Sequence, residues 1–166
     1  MTVFGGIQED IIDSISKNKD TLGLMPTGGG KSITFQVPAL AKEGMCLVIT
    51  PLIALMKDQV RNLRDRGIKS IAVYSGMTRE EIVVALENCI FGDYKFLYIS
   101  PERLDTEIFQ TKLKSMKVSM ITSTNHTVYL SGDMISVQPT SRSQKSENCF
   151  QEYQCLLLQL QPRPKW

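Results

Sequence analysis

The chain has 166 residues, enough for one hydrophobic core, so a single domain is expected. Hydrophobic residues make up 42% and charged residues 22%, the proportions of a globular chain rather than a disordered or fibrous one. A net charge of +2 argues neither for nor against nucleic acid, and four cysteines without a C-x-x-C pair read as free thiols rather than a metal site or a disulfide scaffold. No signal peptide and no apolar stretch near the ~18 residues of a membrane span is visible, so the expected location is the cytoplasm, with no membrane partner.

In chain order, Ile7, Ile11, Ile12 and Ile15 recur at helical spacing and predict a helix. Thr21–Leu24 predicts a short strand, and Ile33–Lys42 a helix. Met45–Thr50 is a compact apolar run that predicts a buried strand, closed by Pro51. Leu52–Arg66 returns to helix, with Leu55, Gln59, Leu63 and Arg66 along one edge and Gly67 as the stop. Ser70–Val73 predicts a strand. Thr78 and Glu81 form a capping-box pair ahead of a helix over Ile82–Phe91. Phe96–Ser100 is the next strand, Pro101–Met116 a helix with a break, and Val118–Thr122 the last strand. Strands separated by helices of this length form parallel crossover units, so the fold class is α/β with a parallel sheet flanked by helices, incomplete at its C-terminal side. From Ser123 onward serine, threonine and glutamine dominate. The short apolar runs Val128–Leu130 and Leu156–Leu158 stand without partners in any pattern. Residues 1–122 are therefore expected to form the folded unit and residues 123–166 a poorly ordered tail.

Between the first strand and its helix lies Met25-Pro26-Thr27-Gly28-Gly29-Gly30-Lys31-Ser32. Three glycines let backbone N–H groups close around an anion. Lys31 is placed to reach terminal phosphates, and the Ser32 hydroxyl suits Mg²⁺. Strand, glycine loop, Lys-Ser and helix N-terminus together make a nucleotide-phosphate site, which implies ATP with Mg²⁺.

Three further segments stand in order with this loop: Phe4-Gly5-Gly6-Ile7-Gln8, Val48–Val60 (with Thr50-Pro51-Leu52-Ile53-Ala54-Leu55-Met56-Lys57-Asp58-Gln59), and Tyr98-Ile99-Ser100-Pro101-Glu102-Arg103-Leu104. Together they resemble the first motor lobe of RecQ-family ATP-dependent DNA helicases, over about the first three-quarters of the chain. The family tolerates a non-glycine where Met25 stands. The resemblance implies a P-loop, RecA-like lobe in which Thr27, Gly28, Gly29, Gly30, Lys31 and Ser32 hold the nucleotide, Lys31 being the catalytic residue and Ser32 the metal ligand. It implies that Gln8 reads adenine, an amide being able to pair a donor and an acceptor on the base edge. The arginine that usually follows the aromatic is replaced by Gly5, so that guanidinium contact is absent. It further implies that Thr50, Pro51, Leu52 and Lys57, with Ser100 and Arg103, track single-stranded or partly duplex DNA through its phosphates.

The family places an Asp-Glu-x-His box directly after the strand equivalent to Val118–Thr122, the acid holding Mg²⁺ and ordering the attacking water. Here the strand runs into Ser123-Thr124-Asn125-His126, and the next acid is Asp133. A permissible back-translation of Asn125–Thr140, read with the first two bases skipped, encodes Ser-His-Cys-Ile-Ser-Gln-Trp-Gly-Tyr-Asp-Phe-Arg-Pro-Thr-Tyr, the family's sequence after that box. The same shift over Gln154–Trp166 permits Val-Leu-Ala-Leu-Thr-Ala-Thr-Ala-Thr-Pro-Lys-Val, the family's next motif. The expectation is that the chain after about Thr122 is out-of-frame translation, and that the chain is an ATP-binding fragment without turnover. Two alternatives stay open: a nucleotide- or single-strand-binding protein without catalysis, and another P-loop phosphotransferase.

Overall fold

The computed structural model describes residues 6–25, 30–124, 128–131, 134–137 and 155–160. In chain order these form α1 (Gly6–Ser16), β1 (Thr21–Met25), α2 (Lys31–Ala41), β2 (Met45–Ile49), α3 (Ile53–Asp65), β3 (Ser70–Val73), α4 (Arg79–Phe91), β4 (Phe96–Ile99), α5 (Pro101–Leu104), α6 (Glu107–Leu113), β5 (Val118–Thr124), β6 (Val128–Ser131), β7 (Met134–Val137) and β8 (Cys155–Leu160). Six strands make one parallel sheet in the order β1-β8-β5-β2-β4-β3, and β6 pairs antiparallel with β7. The parallel α/β class expected from the alternating pattern is the one observed.

Strand alternation divides the core into two layers, because successive side chains leave a strand on opposite faces. On one face Cys46, Val48, Phe96, Tyr98 and Met120 pack against Ile11 and Ile15 of α1, Phe35 and Ala39 of α2, and Met56, Val60 and Leu63 of α3. On the other, Leu47, Ile49, Val73, Leu97, Ile99 and Ile121 pack against Ile82, Ala85 and Leu86 of α4, Leu104 of α5, and Phe109 and Leu113 of α6. β2 and β4 are buried along their whole length, as strands covered on both faces must be. Burial of the thiols pushes Cys89 up to about 12 and Cys46 higher still, so both remain protonated and behave as small hydrophobes.

Local signals set several boundaries. Thr78 Oγ1 accepts from the Glu81 backbone N–H at 3.2 Å while the Glu81 carboxylate accepts from the Thr78 N–H at 2.8 Å, a complete capping box that starts α4 at Arg79. The helix expected over Pro101–Met116 is divided into α5 and α6 at Asp105–Thr106, where the Thr106 hydroxyl donates to the Arg103 carbonyl at 2.6 Å. In α3 the buried stripe is Met56, Val60 and Leu63, while Leu55 is 36% exposed, so the edge marked by Leu55, Gln59, Leu63 and Arg66 meets the buried face at Leu63.

The expected boundary at Thr122 falls inside β5. Ser123 and Thr124 complete β5, and Cys155–Leu160 enters the sheet as β8, pairing Thr21–Met25 on one side and Ile121–Thr124 on the other. The run around Leu156–Leu158 therefore has two partner strands. Val128–Ser131 and Met134–Val137 pair as β6 and β7, and the rest of the tail, His126 and Asp133 included, lies outside the described residues.

Gly44, ahead of β2, has φ +97°, and a Cβ there would stand 2.7 Å from the Lys117 carbonyl oxygen. Gly44→Ala combines left-handed backbone strain with a backbone collision, and it is expected to destabilise the fold by about 1–3 kcal/mol or more. A urea titration followed by circular dichroism measures it.

Candidate functional site

The carboxyl ends of all strands of a parallel sheet point to one edge, and loops leaving that edge carry the site residues here. β1 ends at the buried Met25 and the chain re-enters at Gly30, so Thr27, Gly28 and Gly29 lie outside the described residues. Gly30 occupies the N-cap of α2 with φ 70° and ψ 33°, a left-handed conformation that glycine adopts without cost. Among the described residues no side chain caps this helix end, and Lys31 and Ser32 are its first two residues. The geometry thus directs backbone N–H groups, a positive helix end and a lysine to one place, an arrangement suited to a phosphate. Partial burial of Lys31 lowers the pKa of its ammonium, and a phosphate beside it would favour the protonated form again. Inside the first turn, the Thr34 hydroxyl donates to the Lys31 carbonyl at 2.6 Å.

Gln8, from the first turn of α1, lies directly over this helix start. A Cβ built at Gly30 would collide with Gln8 Nε2, so the amide occupies the space that a side chain at the loop would need. α1 packs against α2 and brings Gln8, Gly30, Lys31 and Ser32 together from two separate motifs.

The second group of predicted residues stands further along the same edge. Thr50 and Ser100 follow β2 and β4, which are sheet neighbours in the register Ile49↔Ile99. The Thr50 N–H donates to the Ile99 carbonyl and the Ser100 N–H to the Val73 carbonyl, each at 3.1 Å, so the three loops are tied at their roots. Thr50 and Ser100 are buried at 1% and 0% exposure, Pro51 and Arg103 are half-buried, and Leu52 and Lys57 are exposed. Lys57 Nζ sits 4.8 Å from the centroid of the Tyr74 ring, a cation–π contact that fixes its position at the rim. Burial pushes the Glu102 carboxyl up, but the Ser75 hydroxyl bonded to it, with Arg103 beside it, holds it below its usual value.

One polar cluster joins the two groups. Gln36 Nε2 donates to Gln59 Oε1 at 3.0 Å and to the Tyr98 hydroxyl at 3.5 Å, linking α2, α3 and β4 beneath the rim. Sequence reasoning quoted Gln59 and Tyr98 without a role and passed over Gln36; a half-buried glutamine on an otherwise apolar helix face was the available signal.

Between the two groups stand β8 and β5. The end of β5 is formed by Thr122, Ser123 and Thr124, all buried, and the Thr122 and Ser123 hydroxyls have no hydrogen-bond partner among the described residues. These positions carry hydroxyls, not carboxylates.

A model of the DEAD/DEAH box helicase family matches residues 6–127. The chain is 45% identical over 120 residues to the probable ATP-dependent DNA helicase RecS of Bacillus subtilis (strain 168), covering 72% of this chain and 24% of that protein. It is 43% identical over 114 residues to the ATP-dependent DNA helicase RecQ of Pasteurella multocida (strain Pm70), covering 69% of this chain and 18% of that protein. The chain thus spans a quarter or less of these relatives' length. Among solved structures, the DUF1998 helicase MrfA bound to DNA and AMPPNP superposes with a TM-score of 0.62 at 19% identity, over 72% of this chain and 18% of that one. A hypothetical ATP-dependent RNA helicase from Sulfolobus tokodaii gives 0.59 at 22% identity, over 75% of this chain and 38% of that one. These two likenesses show the fold alone.

Proposed function

Because the chain belongs to the DEAD/DEAH box helicase family, we propose that it is the nucleotide-binding part of the first motor lobe of a RecQ-like DNA helicase. The observation that carries this reading is the convergence of Gln8, Gly30, Lys31 and Ser32 at the uncapped start of α2. The residues fit ATP with Mg²⁺: a left-handed glycine that brings the Gln8 amide close over the helix start, helix N–H groups for phosphate, the Lys31 ammonium, and that amide above the loop for the base. Bound Mg²⁺ would supply charge neutralisation between phosphate oxygens, with Ser32 as its protein ligand. Gln8 would orient adenine, and Lys31 would hold the terminal phosphates against the helix end.

Single-stranded DNA would lie across the ends of β2 and β4, taking phosphate contacts from Lys57 and Arg103 and backbone contacts near Pro51 and Leu52. The bonded Gln36, Gln59 and Tyr98 support a mechanical link between α2, which starts at the nucleotide, and α3, which carries Lys57. Turnover is a different matter. In P-loop motors a carboxylate beside the P-loop strand holds the metal, and hydroxyls at the end of β5 bind Mg²⁺ far more weakly. We infer that this chain grips ATP without hydrolysing it. Among the described residues no helix is long and apolar enough to cross a membrane, and a cytoplasmic location accords with the proposed role.

Titrating the chain with a fluorescent ATP analogue and with labelled oligo(dT) in parallel tests the proposal. Both ligands are expected to bind, with Lys31→Ala losing only the nucleotide. An affinity for ATP indifferent to Lys31→Ala would overturn the site assignment, and nucleotide binding without DNA binding would favour the phosphotransferase reading.

A further inference from the structure

Along the outer margin of the sheet, beside the edge strand β3, runs an open groove of about 410 Å³ between α3 and β3. Lys57, Arg61 and Arg64 stand on its α3 side, and Ile71, Ala72 and Tyr74 on its β3 side. The three basic residues recur at helical spacing (i, i+4, i+7), so they share one face, and a rise of about 1.5 Å per residue spreads them over about 10 Å. Among the described residues none of the three is in an ion pair. Lys57 leans on the Tyr74 ring, and Arg64 Nε donates to the Ser70 carbonyl at 2.8 Å, which anchors the base of its side chain to the start of β3. Arg61, between them, is exposed. Asp65 is the one acid in the lining and stands at the lower end.

The groove is continuous with the strand-end rim, because Lys57 belongs to both. A cationic row beside an aromatic ring, open to solvent and leading away from that rim, matches the chemistry of a single nucleic-acid strand: phosphates for the guanidinium groups and a ring for a base. We propose that this groove is an extension of the DNA path, in which Arg61 and Arg64 take backbone phosphates of single-stranded DNA after it leaves the ends of β2 and β4. The proposal rests on the reading that the chain binds DNA at that rim. Arg61 is the residue on which it turns, since Arg64 also serves the fold through Ser70. Tyr74 supplies the wall at the upper mouth and positions Lys57 there.

Fluorescence anisotropy of the full chain with labelled oligo(dT) of about 4 and about 12 nucleotides, spanning the range of single-strand site sizes, provides the test. Arg61→Glu is expected to weaken binding of the longer oligonucleotide by about 10-fold at low salt and to reduce the salt dependence by about one phosphate contact. Arg61→Lys should retain most of the affinity, and the shorter oligonucleotide, held at the rim, should be bound equally by wild type and Arg61→Glu. Lys114→Glu, an exposed charge reversal after α6, serves as the reference. If Arg61→Glu loses no more affinity for the longer strand than Lys114→Glu does, the groove is not part of the path. If both lengths lose affinity alike, Arg61 acts through general charge and the extension is overturned. If the wild-type chain binds neither length while still binding the ATP analogue, the rim reading itself fails and the extension falls with it.

Discussion

Lys31→Ala is expected to weaken ATP binding by about 10- to 100-fold while leaving thermal stability almost unchanged. Hydrogen bonds to a charged group contribute about 1.5–3 kcal/mol, and each 1.4 kcal/mol is a factor of ten. The ammonium is partly buried at a helix start that offers only N–H groups, so the unliganded chain gains little from its charge there. Removing it costs the complex more than it costs the fold. Equilibrium titration with a fluorescent ATP analogue measures the first effect, and a melting curve the second. A large drop in melting temperature would mean that Lys31 supports the fold rather than a ligand.

Phe96→Ala carries the largest expected stability effect. Phe96 is fully buried in β4, with its ring 6.4 Å from Phe35 at 68° and 6.5 Å from Tyr98, so it joins α2 to the sheet. Phenylalanine-to-alanine changes in a packed core cost about 3–5 kcal/mol, against a total stability of about 5–15 kcal/mol for a typical domain. The variant should unfold at much lower urea concentration, and it should also lose nucleotide affinity, because Phe35 lies one turn beyond Lys31 and Ser32 in α2. If affinity survives at temperatures where the variant is still folded, the orientation of α2 does not depend on this aromatic contact.

The parts of the structure that were legible in the sequence are those decided locally. Thr78 and Glu81 specify the start of α4 through their own hydrogen bonds, and Ser70–Val73 falls between turn signals on both sides. The buried face of α3 is not legible in the sequence because Leu55 and Met56 are both apolar and adjacent. Which of them is buried is decided by the sheet, against which Met56, Val60 and Leu63 pack. β8 escaped for a related reason. Cys155-Leu156-Leu157-Leu158-Gln159-Leu160 has no alternation, and a strand in the interior of a parallel sheet need show none. Only the vacant place between β1 and β5 identifies it, and that place exists only in three dimensions.

The site was legible as motifs but not as a map. The glycine loop, Gln8 and the strand-end segments are each local strings, and their order along one sheet edge comes from the topology. Tyr74 and Arg61 carry no motif. Tyr74 meets Lys57 only because β3 lies beside α3, a contact across seventeen positions of sequence that spacing alone does not reveal.

Phosphate release by the purified chain, with and without single-stranded DNA and with Lys31→Ala alongside, tests the central claim most directly. With Thr122, Ser123 and Thr124 closing β5 in place of a carboxylate, the chain should bind ATP and release no phosphate above the Lys31→Ala background, whether or not DNA is present. A DNA-stimulated release that disappears in Lys31→Ala would contradict it.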